Sequence, residues 1–287
     1  MIYVDSVPRK VAQRAKVAGE RARRARTMLA DCRLCAHDCG VNRLAGKTGL
    51  CRAGATARFF SAQVEVADEL ELIPTFAVAL SGCDLRCDFC ITGKSSWNAQ
   101  AGFGFDAQAM AIQAANALLN DAQTVMILGG EPTIHLPDAL EFVSFLPNTA
   151  RVVWKTNAHG SAQARELQEG IFDVYLADFK FGNDVCAQRL AKVPDYVRTV
   201  RENLLWAAQD SELMVRHLLM PGHLNCCWRP VAEWLATELP GIKVSLRSGF
   251  WPGWRAARHN DLNRMVSAEE SSAALRIARE LKLNLIS

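Results

Sequence analysis

Residues 76–90 read Phe-Ala-Val-Ala-Leu-Ser-Gly-Cys-Asp-Leu-Arg-Cys-Asp-Phe-Cys, an apolar run of strand length that ends in glycine and passes into three cysteines spaced CxxxCxxC. A short apolar run closed by a turn signal predicts a buried strand. Further runs of this kind lie at 124–128, 151–156, 173–178, 213–219 and 242–247. Helical patterns fall between or after them at 106–120, 136–147, 161–169, 195–209, 229–238 and 267–281. Strand and helix in alternation give a parallel sheet with its helices outside, an α/β fold. Six strands are too few to close an eight-fold barrel, and ligands in such folds gather at the C-terminal ends of the strands. The cysteine loop stands at one of those ends.

Three thiolates on one tight loop can hold three irons of a [4Fe–4S] cluster and leave the fourth iron open to an exchangeable ligand. The alternatives from the residues alone are a structural zinc knuckle, which wants a fourth ligand, and buried thiols. The run resembles the signature of the radical S-adenosylmethionine (SAM) superfamily, CxxxCxΦC with an aromatic Φ, and Phe89 stands at Φ. The resemblance implies a partial (β/α)6 TIM-like barrel in which Cys83, Cys87 and Cys90 bind the cluster and Phe89 packs near the adenine of SAM. It also implies that the cluster passes one electron to SAM, giving a 5′-deoxyadenosyl radical that abstracts a substrate hydrogen. The difficult chemistry then belongs to the cofactors.

The second strand runs into Gly129-Gly130-Glu131-Pro132. Glycines admit close backbone approach and a carboxylate can accept hydrogen bonds from an ammonium. The run is similar to the family's GGEP motif, which implies a grip on the methionyl amine of SAM. Beyond the third strand come Lys155, Thr156 and Asn157, and beyond the fourth Asp178 and Lys180; both resemble elements of the activating-enzyme branch that face SAM and substrate. Arg216 and His217 on the fifth strand are candidates for the same face, with paired barrel residues as the alternative.

Cys32, Cys35, Cys39 and Cys51 form a second cysteine group, CxxCxxxC followed by a fourth after eleven residues. Four thiolates can close a tetrahedral zinc site or carry a second iron–sulfur cluster, and spacing does not separate the two. His37 inside this loop reads as a solvated bystander. With the motifs above, the segment resembles the proteins related to pyruvate formate-lyase activating enzyme over most of residues 29–225. Phe250, Trp251, Trp254 and Trp228 read as a seal on the open barrel edge or as a pocket wall. Cys226 and Cys227 are adjacent, which is taken against shared ligation, so they and Cys186 read as core thiols.

The chain has 287 residues, 50% hydrophobic and 22% charged, a composition that suits one catalytic domain with a small appendage. The expected division is an N-terminal basic helix and cysteine-rich segment, 1–72, and a barrel with a C-terminal helix, 73–287. Ten cysteines without a signal-peptide layout suggest a cytoplasmic metalloprotein, and no apolar run reaches the roughly 20 residues that cross a bilayer. Basic residues crowd 9–26, from Arg9 and Lys10 to Arg26, and read as a solvated helix face or an RNA contact. The expectation is a SAM-cleaving enzyme acting on a small molecule or peptide and served by a one-electron donor such as flavodoxin or ferredoxin. The alternatives are an activase that makes a glycyl radical on a partner enzyme and a non-catalytic RNA- or protein-binding metalloprotein.

Overall fold

The computed structural model describes residues 7–67 and 69–286, with side chains in the first helix from Gln13 onward. The strands are β1 (Arg58–Glu65), β2 (Thr75–Leu80), β3 (Phe103–Gly104), β4 (Thr124–Gly129), β5 (Val152–Thr156), β6 (Val174–Asp178), β7 (Glu212–Leu218), β8 (Lys243–Arg247) and β9 (Asn284–Leu285). The helices are α1 (Val7–Met28), α2 (Lys94–Trp97), α3 (Ala107–Leu119), α4 (Leu136–Phe145), α5 (Ala162–Gln168), α6 (Asp184–Ala191), α7 (Tyr196–Asp210), α8 (Arg229–Glu238) and α9 (Ala268–Glu280). Among the described residues all nine strands join one open sheet in the order β3-β1-β2-β4-β5-β6-β7-β8-β9. From β2 to β9 neighbours are parallel, and β1 runs antiparallel to β2. This is the expected partial barrel, β2 and β4 to β8, extended at both edges. The extension by β1 carries the sheet across the expected boundary near Ile73–Pro74.

The two faces of the sheet are sorted by strand alternation. Val125, Ile127, Val152, Trp154, Tyr175, Val215 and Val244 share one cluster with the helices, whereas Met126, Val153, Val174, Leu176 and Met214 gather with Leu72 on the opposite, concave face. That small cluster plugs the concave side. Toward the C-terminal ends the same alternation turns Lys155, Asp178, Arg216 and Arg247 to the concave face. Register levels those ends: Leu80 pairs with Gly129, Thr156 with Ala177, and Asp178 with Arg216.

Helix α1 lies on α4 through Ala18, Ala22 and Ala25, buried at i, i+4 and i+7, and the stripe continues to Leu29. Several of its arginines are tied to the fold, whereas Arg23 and Arg24 are exposed. Arg14 is buried and donates to Asp173 at 2.7 Å and to the Ala150 carbonyl at 2.6 Å. Arg24 pairs with Glu166, and Arg26 with Asp138 and Glu141, each at 3.2 Å. Arg9 and Lys10 lie outside the described side chains. No helix among the described residues is long and apolar enough to cross a membrane.

Candidate metal centre

The cysteine loop leaves the end of β2 and is held from several sides. Arg86 and Asp88 donate their backbone N–H groups to the Ala191 and Leu190 carbonyls at the end of α6, both at 2.9 Å. The segment after β8 supplies Arg255, whose N–H reaches the Asp88 carbonyl at 2.8 Å, and His259, whose Nε2 lies 2.8 Å from the Asp88 carboxylate. Cys83 and Cys87 are buried and Cys90 half-buried. Polar groups face the sulfurs: the Leu85 N–H is 3.3 Å from Cys83 Sγ, Asn157 Nδ2 is 3.7 Å from it, and Thr92 Oγ1 is 3.3 Å from Cys90 Sγ. Burial pushes the Cys87 thiol up to about 12, against the pull of Lys180, and pushes Cys83 well above its ordinary value. Burial thus favours the thiol at Cys83 and Cys87, and bound iron is what would keep these two as thiolates. Three sulfurs on a fixed loop, approached by hydrogen-bond donors, fit a [4Fe–4S] cluster.

Phe89 is buried against Phe181 and Phe250, with ring centroids 6.0 and 6.1 Å away. Phe250 and Trp228 are fully buried, whereas Trp251 is exposed. Trp254 packs on Trp97 at 5.7 Å, and Arg255 stacks over Trp97 at 4.2 Å.

At the end of β4 the close approach that the two glycines permit is to the chain's own backbone. A Cβ on Gly129 would collide with the Leu80 carbonyl, and one on Gly130 with the Gly82 carbonyl. Glu131 follows, 1% exposed, and its carboxylate is occupied by protein donors. Its Oε1 accepts from the Thr133 N–H at 3.0 Å, Thr133 Oγ1 at 2.6 Å and Thr156 Oγ1 at 2.8 Å, while Oε2 accepts from the Asn157 N–H at 2.7 Å. Burial, then the Asp84 charge, pushes Glu131 up to about 7. Asn157 in turn donates to Asp84 Oδ1 at 2.7 Å. Pro132 opens the turn Pro132–His135 and is buried. Glu131 and Asn157 thus tie the ends of β4 and β5 to the cysteine loop.

The concave face above the apolar plug is charged. Lys155, Asp178, Arg216 and Arg247 project there, Lys180 forms an ion pair with Asp178, and fully buried Glu69 closes the far side. Glu69 accepts from Ser245 Oγ at 2.8 Å and has Arg216 and Arg247 at 3.7 and 3.8 Å. Burial alone would raise Asp178; Lys180 and Arg216 outweigh it and hold the carboxyl below its ordinary value. His217 is not brought to this chamber. It projects to the helix face, where its ring lies 5.0 Å from Trp228 and Nδ1 lies 2.6 Å from the Phe179 carbonyl. Burial lowers it to about 4, so it is a neutral core residue.

The N-terminal cysteines sit beside the same loop. Cys32 pairs with Val41 and Cys35 with Gly160 through isolated bridges. Burial pushes the Cys35 thiol up, as do the neighbouring charges of Asp84, Cys51 and Cys39. No three of Cys32, Cys35, Cys39 and Cys51 bring their sulfurs within 4.8 Å of one another. His37 is half-buried rather than a solvated bystander: its Nε2 is 3.0 Å from the Asp84 carbonyl and its ring meets His159 edge-on at 5.0 Å. His159 Nδ1 lies 2.8 Å from Asp84 Oδ2, so His37, His159 and Asp84 form one bridge between the two cysteine groups, buried at His159 and Asp84. Sequence reasoning missed Asp84, His159, Glu69 and Arg247; of these only Arg247 carried a signal, through its alternation with Val244 and Leu246.

Three comparisons bear on this geometry. The family model of the Radical SAM superfamily matches residues 78–235. An uncharacterized protein, MJ0674 of Methanocaldococcus jannaschii, is 31% identical over 273 residues, which is 91% of this chain and 78% of that protein. Among solved structures, Streptococcus suis SuiB bound to S-adenosylmethionine superposes with a TM-score of 0.54 at 15% identity, over 71% of this chain and 47% of SuiB. A radical SAM methyltransferase from Sphaerobacter thermophilus gives 0.50 at 15% identity, over 73% of this chain and 64% of that one. The chain spans about half the length of SuiB, and these last two likenesses are of fold.

Proposed function

This chain belongs to the radical SAM superfamily, and on that premise we propose that it is an enzyme that cleaves SAM at the Cys83–Cys87–Cys90 loop to modify a small molecule or a peptide. The observation that carries the reading is the meeting of that loop with a charged chamber at the level ends of β2 and β4 to β8. When bound there, the cluster would supply the one electron that splits SAM into methionine and a 5′-deoxyadenosyl radical. The remaining tasks fall to side chains. Lys155, Lys180, Arg216 and Arg247 suit a carboxylate, Asp178 suits an ammonium, and Gly129, Gly130, Glu131, Thr156 and Asn157 fix the wall beside the thiols. Phe89 and the aromatic residues on it exclude water from that wall.

A peptide substrate draws support from SuiB, a protein of the same fold solved with its precursor peptide SuiA. The N-terminal cysteines suit a second iron–sulfur cluster better than zinc, because sulfurs on one zinc stand about 3.8 Å apart, whereas those on separate irons stand farther apart. The electron donor is an acidic carrier of the flavodoxin or ferredoxin kind, which would meet a basic cleft of about 620 Å³ beside the cysteine loop, lined by Arg52, Arg86, Lys192, Arg255 and Arg258.

The test is anaerobic incubation of the reconstituted protein with SAM and a strong reductant, following 5′-deoxyadenosine. Production that Cys87→Ala abolishes is the expected result, with about eight irons per chain if both cysteine groups carry clusters. A fully loaded protein that neither binds nor cleaves SAM would overturn the reading.

A further inference from the structure

Cys186, His223, Cys226 and Cys227, which neither the signature nor the chamber uses, converge on one point. Their ligand atoms all lie within 4.8 Å of one another. The individual edges are 3.7 Å from Cys186 Sγ to His223 Nδ1, 3.9 Å from Cys186 to Cys226, 4.0 Å from Cys226 to Cys227, and 3.4 Å from His223 Nδ1 to each of the latter two sulfurs. A regular tetrahedron built on Zn–S bonds of about 2.3 Å and a Zn–N bond of about 2.0 Å has S–S edges of about 3.8 Å and S–N edges of about 3.5 Å. We propose that these four residues form a structural zinc site, Cys3His, on the rim of the barrel.

The local backbone accounts for a ligand set that adjacency argued against. Leu224–Trp228 is a π-helical turn in which the Cys227 and Trp228 N–H groups both reach the His223 carbonyl, at 3.0 and 3.2 Å. His223, Cys226 and Cys227 stand at i, i+3 and i+4, on one face of that widened turn, and such turns recur at functional sites. Cys186 arrives from the first turn of α6, fixed by its N–H bond of 2.8 Å to the Asn183 side chain that caps the helix. The imidazole is oriented as a ligand requires. Asp261 Oδ2 lies 3.0 Å from Nε2, placed to accept its N–H and leave Nδ1 to face the sulfurs; Arg189 holds that carboxylate at 2.5 Å and itself stands 3.2 Å from Nε2. A carboxylate behind a histidine in this way is the usual support of a zinc-bound imidazole.

Four protein ligands close the coordination sphere, so the site is structural. Its ligands lie in the connections after β6 and β7, and Asp261 extends the tie to the connection after β8. These are the connections that border the charged chamber and, through α6 and Arg255, the cysteine loop. The zinc would hold them together on the side where the barrel lacks closing strands.

The test uses the full-length protein as purified and again after iron–sulfur reconstitution. Elemental analysis should give about one zinc per chain, unchanged by iron loading, with X-ray absorption at the zinc edge showing three sulfurs at about 2.3 Å and one nitrogen at about 2.0 Å. The double variant Cys186→Ser/Cys226→Ser should lose that zinc and keep its iron. A second measurement needs no variant. Cys226 reaches the surface, yet its alkylation, mapped by mass spectrometry, should speed up about tenfold or more when a chelator strips the zinc. Zinc retained in the double variant, an all-sulfur zinc shell, or alkylation of Cys226 at one rate with and without chelator would each show a hydrogen-bonded thiol cluster instead. Iron counts and SAM cleavage report separately on the barrel cluster, so failure of this site and of the proposed function are distinct results.

Discussion

Glu131 links two strand ends by accepting from Thr133, Thr156 and Asn157, and it is 1% exposed. Glu131→Gln places an amide nitrogen against one of those donors, so a buried pair of donors is left facing. The expected cost is about 1–3 kcal/mol, read as a lowered midpoint in urea unfolding; an unchanged midpoint would mean the carboxylate is not the tie described above. His217 and His135 set the acid limit. Burial lowers each to about 4, whereas unfolded histidine titrates near 6.5. Between those values the unfolded chain binds protons that the folded chain refuses, so stability is full above about pH 6.5 and falls as pH drops toward 4, by at most on the order of 3 kcal/mol per histidine. Unfolding series at several pH values should show a shallower loss for His217→Asn than for the parent, and parallel curves would exclude His217 as a contributor. The same residue marks the boundary of what was legible at this scale. The signature cysteines and the Gly-Gly-Glu-Pro run were plain, since local spacing carried them. His217 was a candidate for the chamber that the structure places in the core, and Arg247 was not considered, because only the alternation of inward and outward positions separates chamber from core.

At the scale of elements, periodicity made β2 and β4 to β8 legible, together with α3 to α5 and α7 to α9, because each buries one consistent face. β1 was missed because it pairs antiparallel, next to the short edge strand β3, where partial exposure blurs the pattern, and α6 was missed as well. The π-helical turn at Leu224–Trp228 was equally invisible, since sequence spacing alone assumes a regular helix. Helix α1 was foreseen as a helix, but what its charges do was not. Arg14 crosses to Asp173 and Ala150, 4% exposed in its side chain, so Arg14→Met should cost about 1–3 kcal/mol by leaving a carbonyl and a carboxylate without their donor. Ala25→Leu should cost a similar amount by overpacking the stripe against α4. Thermal unfolding of the two variants checks both. RNA affinity that weakened in step with Arg14→Met while stability held would instead return the helix to the role of a contact surface.

For the whole molecule, the question is how an electron enters a cluster loop whose cysteines are largely buried. An outward side of the loop is the cleft lined by Arg86 and Asp88 between the signature cysteines, and the N-terminal cysteine segment borders the same cleft at Gly49 and Leu50. Five cations against one carboxylate, Asp88, give this cleft a positive field on a chain whose net charge is only +3. A concave surface of one sign raises the rate of encounter with an opposite charge, and the gain shrinks as salt screens it. The proposed acidic donor, a flavodoxin or ferredoxin, would thus be steered to a face that borders both cysteine groups. Arg52 and Arg258 are exposed and make none of the loop's supporting bonds, so Arg52→Glu/Arg258→Glu tests the field while sparing the cysteine loop. At low ionic strength the double variant should lose about tenfold in the flavodoxin-driven rate of 5′-deoxyadenosine formation. At high salt it should approach the parent, and with a photoreduced small-molecule donor it should match the parent at any salt. Equal flavodoxin-driven rates at low salt would place donor docking on another face, and a loss that persists with the small donor would trace instead to damage at the cluster loop.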